Sequence, residues 1–139
     1  MTSLNHVGIA ATRTDRLAEF LRSVCQLELA RSIPLEHLGV TAYFFEGGTA
    51  EIELVELETV AARRERLRNG QQAIIEHIAL EVPDLEEARA ACARCGVGLT
   101  DRPGRSTPSF EPLVADGKAS LWTIATSTDP IIWQLTSRR

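Results

Sequence analysis

The sequence predicts an α+β fold built from two tandem β-α-β-β-β modules, and two observations point to it. The phrases Leu4-Asn5-His6-Val7-Gly8-Ile9-Ala10 and Ile75-Glu76-His77-Ile78-Ala79-Leu80-Glu81 nearly repeat one another, with histidines at 6 and 77 of a 139-residue chain. Self-similarity at an offset of about half the chain marks a duplicated supersecondary unit. Each phrase also alternates with the period of a strand and is followed by a run with the period of a helix. The expected organisation is one domain, with a first module over 1–59, a polar connector over 60–73 and a second module over 74–139.

In the first module, residues 4–11 place Leu4, His6, Gly8 and Ala10 on one side of a strand and Val7, Ile9 and Ala11 on the other. Leu17, Phe20, Leu21 and Val24 follow at i, i+3, i+4 and i+7, so a helix is expected to bury that stripe, with Thr12 or Thr14 as its cap. Three β-rich runs come next, near 27–33, 39–46 and 50–57, with Gly47-Gly48 as the turn between the last two. The connector from Val60 to Ala73 is compatible with a helix, and Arg63, Arg64, Arg66 and Arg68 read as its solvated face.

The second module opens on a strand whose apolar side is Ile78, Leu80 and Val82 and whose other side is His77, Ala79 and Glu81. A helix over 84–95 carries Leu85, Ala88, Cys92 and Cys95 on one face. A short strand at 97–101, a Pro/Gly/Ser-rich stretch from Arg102 to Gly117, and strands near 119–125 and 130–136 complete the repeat. That stretch is long for a hairpin connection and suits either a binding loop or a plain surface loop.

Composition narrows the function classes. With 44% hydrophobic and 24% charged residues the chain can bury a working core without staples. A net charge of −4 disfavours nucleic acid, which selects basic faces, and favours a small-molecule partner. The first residues lack a signal-peptide pattern and no apolar run reaches the length of a membrane span, so a cytoplasmic protein with no membrane role is expected. Three cysteines leave one unpaired in any disulfide scheme, which suits a reducing compartment. Cys92-Ala-Arg-Cys95 falls in the last turn of its helix, where the dipole opposes a thiolate, and no second pair exists for zinc. Those two read as buried helix-face thiols.

Strand phase also nominates a site. Both histidines face away from the layer that packs on a helix, so they can share a cavity. In Glu51-Ile52-Glu53-Leu54 the apolar residues point toward the helix and leave Glu51 and Glu53 on the histidine side, with Glu51 nearer the rim. In Ile132-Trp133-Gln134-Leu135, at the equivalent place, Gln134 is the polar residue facing away from Trp133 and Leu135. An inward glutamate loses several kcal/mol of hydration unless it is paired or metal-bound. The set His6, Glu53, His77 and Gln134 suits a divalent ion of intermediate softness: Co, Ni, Mn, Fe or Zn. Asn5 and Glu76 fall on the opposite face and read as edge or supporting groups, and His37 as a loop residue.

On these phrases the chain resembles the vicinal oxygen chelate superfamily, the glyoxalase and bleomycin-resistance group, and within it the methylmalonyl-CoA epimerase branch. The likeness is strong over 4–57 and 75–101 and weak over 102–139. It implies curved mixed sheets around a central cleft, and a metal-dependent isomerase or lyase that takes a proton from the carbon beside a carbonyl or thioester. Glu53 is then the proton-transfer group, an acyl-CoA is a candidate substrate, and a homodimer is expected. The departures are specific. The branch usually places Gln in the first closing strand and Glu in the second, reversed here as Glu53 and Gln134, and its second acid falls at Ala42. A non-catalytic binding or resistance protein of the same fold is the alternative. Arg102, Arg105 and Lys118 are the cations available for a CoA phosphate.

Overall fold

The computed structural model describes residues 1–68, 70–128 and 131–138. Among them are nine strands and three α-helices, an α+β chain with mixed parallel and antiparallel pairing. Backbone packing divides the chain into two compact units, His6–Glu76 and, with Met1–Asn5, His77–Arg139.

The first unit takes most of β1 (Ser3–Ala11), then α1 (Asp15–Ser23), β2 (Glu28–Leu35), β3 (Val40–Glu46), β4 (Glu51–Leu57) and α2 (Val60–Arg66). The strands lie in the order β2-β3-β4-β1, with β1 parallel to β4 and the other pairs antiparallel. Register sorts the side chains. His6, Gly8 and Ala10 share a face with Glu51, Glu53 and Val55, and β3 adds Ala42 and Phe44 to it.

This face changes character along its length. Beyond the polar end, Ala10, Val40, Val55 and Leu57 form an apolar cluster closed by Ala62 of α2, with Leu67 and Ile74 packed on it. The connector therefore covers the sheet. Thr59 caps α2 by accepting from the Ala62 amide, and Gly39, at φ +67°, keeps its backbone against Thr59 where a Cβ would collide.

Two expectations for the first helix are corrected. Phe20 and Val24 are exposed, because α1 ends at Ser23 and a nine-residue helix sets only Leu17 and Leu21 toward the sheet. Thr14 stands at the N-cap without capping. Its amide and hydroxyl both donate to Glu56 Oε1 at 3.1 Å, so the helix start is tied to β4 instead.

The second unit continues β5 (Ala73–Glu81) into α3 (Leu85–Arg94), β6 (Leu99–Thr100), β7 (Leu113–Ala115), β8 (Lys118–Thr123) and β9 (Ile132–Arg138). Its order is β5-β9-β8-β6, with β5 parallel to β9 and β7 paired to β8. Asp84 caps α3 by accepting from the Glu86 and Glu87 amides, and Leu85, Leu99, Ala119 and Leu121 form the core beneath it.

The stretch from Arg102 to Gly117 is not all loop. Leu113–Ala115 pairs with Lys118–Ser120 through a two-residue turn, Asp116-Gly117, both at positive φ. Those angles are the type I′ geometry whose twist matches antiparallel strands. The strand expected near 130–136 starts at Ile132, and Pro130 lies outside the described residues. Of the thiols expected to be buried, Cys92 is half-buried and Cys95 exposed, because α3 ends one residue before Cys95 and presents it past the sheet. Burial, then the neighbouring Cys95, pushes the Cys92 thiol up, the wrong direction for a reactive thiolate.

Candidate metal centre

In the first unit the parallel register places His6 opposite Glu51 and Gly8 opposite Glu53, so His6 and Glu53 are diagonal neighbours across a residue without a side chain. They meet there, with His6 Nε2 3.3 Å from Glu53 Oε1 and the two residues only 3% and 9% exposed. Phe44, opposite Glu53 on β3, sets its ring edge against the His6 imidazole at 5.4 Å and 87°. Arg31 stacks on Phe44 at 4.1 Å and forks onto both Glu51 oxygens at 2.6 and 3.0 Å. The two inward carboxylates thus have different environments, Glu51 in an arginine fork and Glu53 beside a histidine.

Arg66 and Glu76 correct the sequence reading. Glu76 was expected at an edge and Arg66 on a solvated face, yet they form a bidentate pair at 2.7 and 2.5 Å with side chains 8% and 1% exposed. The cause is the seating of α2 on the sheet, which turns its last arginine inward. Burial pulls the Arg66 guanidinium down, but the charge and hydrogen bonds of Glu76, with Glu53 and Glu65 adding, outweigh it and raise its pKa. A fixed positive charge therefore stands near the Glu53 carboxylate.

The second unit repeats the pattern without the charges. His77 on β5 and Gln134 on β9 are buried, and Gln134 stands opposite Ala79, two residues along the face from His77. Gln134 Nε2 donates to Ser120 Oγ at 3.0 Å, and Ser120 donates to Thr136 Oγ1 at 3.0 Å. With its nitrogen committed as donor, the amide offers its oxygen as the ligating atom. Trp122 sets its edge on His77 at 6.5 Å and 89°, matching Phe44 on His6. Sequence reasoning missed both aromatic partners, although each sits on the strand antiparallel to the closing one.

The donor chemistry fits a divalent ion. Nitrogen and oxygen ligands at about 2.1 Å from one ion stand roughly 3.0 Å apart at octahedral angles and about 3.4 Å apart at tetrahedral ones, which brackets the His6–Glu53 separation. His37 is exposed on a 3-10 turn over Glu36–Leu38, as expected of a loop residue. Ala42 is buried on the face of Glu53 and Phe44. Arg102 and Arg105 are drawn onto Asp101 at 3.5 and 2.7 Å. Burial raises the Asp101 carboxyl, but the Arg105 hydrogen bond and the two guanidinium charges prevail and hold it below the usual range.

With the duplicated histidine strands and their closing partners in place, the relationship to known proteins is direct. The chain belongs to the glyoxalase/bleomycin resistance protein/dioxygenase superfamily, whose family model matches residues 5–111. Among solved structures it is similar to a hypothetical protein from Bacillus halodurans, 24% identical with a TM-score of 0.82 over 99% of this chain and 95% of that one. It is similar to methylmalonyl-CoA epimerase from Mycobacterium tuberculosis, at 18% identity and a TM-score of 0.80, over 98% and 87%. The Streptomyces coelicolor methylmalonyl-CoA epimerase in complex with 2-nitronate-propionyl-CoA is 20% identical, with a TM-score of 0.78 over 97% and 96%. These identities establish a shared fold. No curated protein matches the chain. No helix among the described residues is long and apolar enough to cross a membrane.

Proposed function

We propose that the protein is a metal-dependent isomerase or lyase, methylmalonyl-CoA epimerase-like, that moves a proton on the carbon beside a carbonyl or thioester of an acyl-CoA. The observation that carries this reading is the buried His6–Glu53 pair, at the separation of two donors on one ion. His6, Glu53, His77 and Gln134 hold a divalent ion, one of Co, Ni, Mn, Fe or Zn. Such an ion supplies Lewis-acid stabilisation of the negative charge that develops on a carbonyl oxygen. Glu53 is the base: it accepts the proton as the C–H bond breaks and the electron pair moves toward the carbonyl, and the same proton or one from water returns to carbon. Arg66 keeps positive charge near that carboxylate. Phe44 and Trp122 hold the two imidazoles edge-on. The acyl-CoA substrate is supported by the likeness to epimerases whose structures hold methylmalonyl-CoA or 2-nitronate-propionyl-CoA. A homodimer in the cytoplasm belongs to the same reading, and the three free thiols agree with a reducing compartment.

Ala42 favours a second reading, a small-molecule binding protein of the same fold, because an alanine occupies the place expected for a second acid. Elemental analysis of protein purified without chelators separates them in part: the enzyme reading expects about one ion per chain, lost in His77→Ala. Solvent deuterium exchange into methylmalonyl-CoA completes the test, with Glu53→Gln expected to slow it by about 10²–10⁴-fold while circular dichroism is unchanged. Stoichiometric metal without exchange on any acyl-CoA supports the binding protein, and undiminished exchange in Glu53→Gln removes Glu53 as base.

A further inference from the structure

The first unit carries an open depression of about 580 Å³ between the end of β1 and α2. That volume lies within the usual span of small-ligand sites. Its charge is unlike that of the whole chain. Arg13, Arg63 and Arg64 line it in a protein of net charge −4, and among the described residues none of the three forms an ion pair. Two other arginines of this unit, at the end of α2 and within β2, show what an acidic partner does here: Arg66 is spent on Glu76 and Arg31 on Glu51.

The depression is built rather than incidental. Its lining includes Thr12 hydrogen-bonded to Gln72, amide to carbonyl at 2.9 Å and hydroxyl to side-chain oxygen at 3.1 Å. Arg63 is anchored on one side, its Nε donating to the Leu57 carbonyl at 2.9 Å, which holds the guanidinium at the rim while its terminal nitrogens remain available. Leu67, packed on the core cluster, gives an apolar wall. Three cations lining one depression beside polar groups and an apolar wall is the chemistry that recognises a phosphate or diphosphate carried on an organic group.

We infer that this depression is a phosphate-binding site for a phosphorylated organic ligand. Thr12 follows the end of β1, six residues on from His6, about 20 Å at the rise of a strand. A ligand occupying both places must therefore carry its phosphates on a long arm, as a CoA thioester does, and in that form the inference rests on the function proposed above. A separate phosphorylated molecule would use the same three arginines. Of the cations that sequence alone offered, Arg102, Arg105 and Lys118, the two arginines are held by Asp101.

The test is calorimetric titration of the full chain with inorganic pyrophosphate, ADP, CoA and phosphate-free pantetheine, using native protein and the double variant Arg13→Gln/Arg64→Gln. Arg63 is left in place because it supports the backbone of β4. The expected result is binding of pyrophosphate, ADP and CoA that weakens at least tenfold in the variant, with circular dichroism and metal content unchanged. Equal affinity in both proteins, or no binding of any phosphate compound to native protein, overturns the site. Competition assigns the source. If the variant raises KM for an acyl-CoA in deuterium exchange without changing kcat, the phosphates are the substrate's. If CoA fails to displace ADP, the occupant is a separate molecule. The pyrophosphate titration needs neither metal nor turnover, so failure of the metal centre and failure of this site are read independently.

Discussion

The two units answer the same design problem with different chemistry. Each presents a buried histidine from its parallel-paired strand, an aromatic edge against that histidine, and a polar side chain from the closing strand. In the first unit the closing strand brings charge, Glu53 beside His6 and Glu51 in the fork of Arg31, and α2 adds Arg66 buried against Glu76 of β5. In the second it brings a neutral chain of hydrogen bonds from Gln134 through Ser120 to Thr136. A duplicated scaffold conserves where side chains point. Which of those positions carry charge is free to diverge, so the carboxylates and their counter-charges collect in one half while the other half carries neutral hydrogen-bonding groups.

The sharpest way to break that contrast is to exchange the closing residues. Glu53→Gln combined with Gln134→Glu keeps the donor count and net charge, so about one ion per chain is expected to remain by elemental analysis. Deuterium exchange is nevertheless expected to fall by about 10²–10⁴-fold, because the proposed base has been removed from the closing strand of the first unit. Retained exchange would make the two halves interchangeable. Next in size is Arg66→Ala, which leaves Glu76 buried without its counter-charge and should cost about 3–5 kcal/mol in urea unfolding. The neutral half should lose less: Gln134→Ala removes one buried hydrogen bond, about 1–3 kcal/mol in the same experiment. Equal losses would erase the distinction between charged and neutral halves.

The smallest effect is a pH dependence in the second unit. The folded Asp101 carboxyl is held below its unfolded value by Arg105 and Arg102. Its contribution is therefore complete above the ordinary carboxylate range and is lost as pH falls through that range toward the lower folded value. The group is part-exposed, so screening keeps the effect under about 1 kcal/mol. Asp101→Asn should lower a Tm-against-pH curve above about pH 6 by that amount and flatten its acid limb, so that the variant and native curves converge at low pH.

Much of this was legible in the sequence, for a physical reason. Strand phase is local, so two-residue alternation alone pairs His6 with Glu53 and His77 with Gln134, and the register puts each pair on one face; the reading that this face is free of helix is corrected by α2, which packs on it through Ala62. Burial of the connector is not local. Four arginines between residues 60 and 73 look like a solvated face, and only the packing of Ala62 and Leu67 on the sheet singles out Arg66 to turn inward. The readable sign was Glu76, a charge inside a strand next to a buried histidine, which required a partner from somewhere. The β7–β8 hairpin was missed although Asp116-Gly117 spells its turn, because the residues before it read as loop. The stripe on α1 was overread, since periodicity names a helix face without saying how far the sheet extends beneath it.

The Arg66–Glu76 pair also bears on motion. It clamps the end of a seven-residue helix to the strand residue just before His77, while residues 70–72 between them are exposed. In amide hydrogen exchange the strand at 76–77 should therefore open together with α2, as one cooperative unit, and the 70–72 segment should exchange much earlier. A ligand that loosened the connector would then change the lifetime of the histidine strand as well as its position.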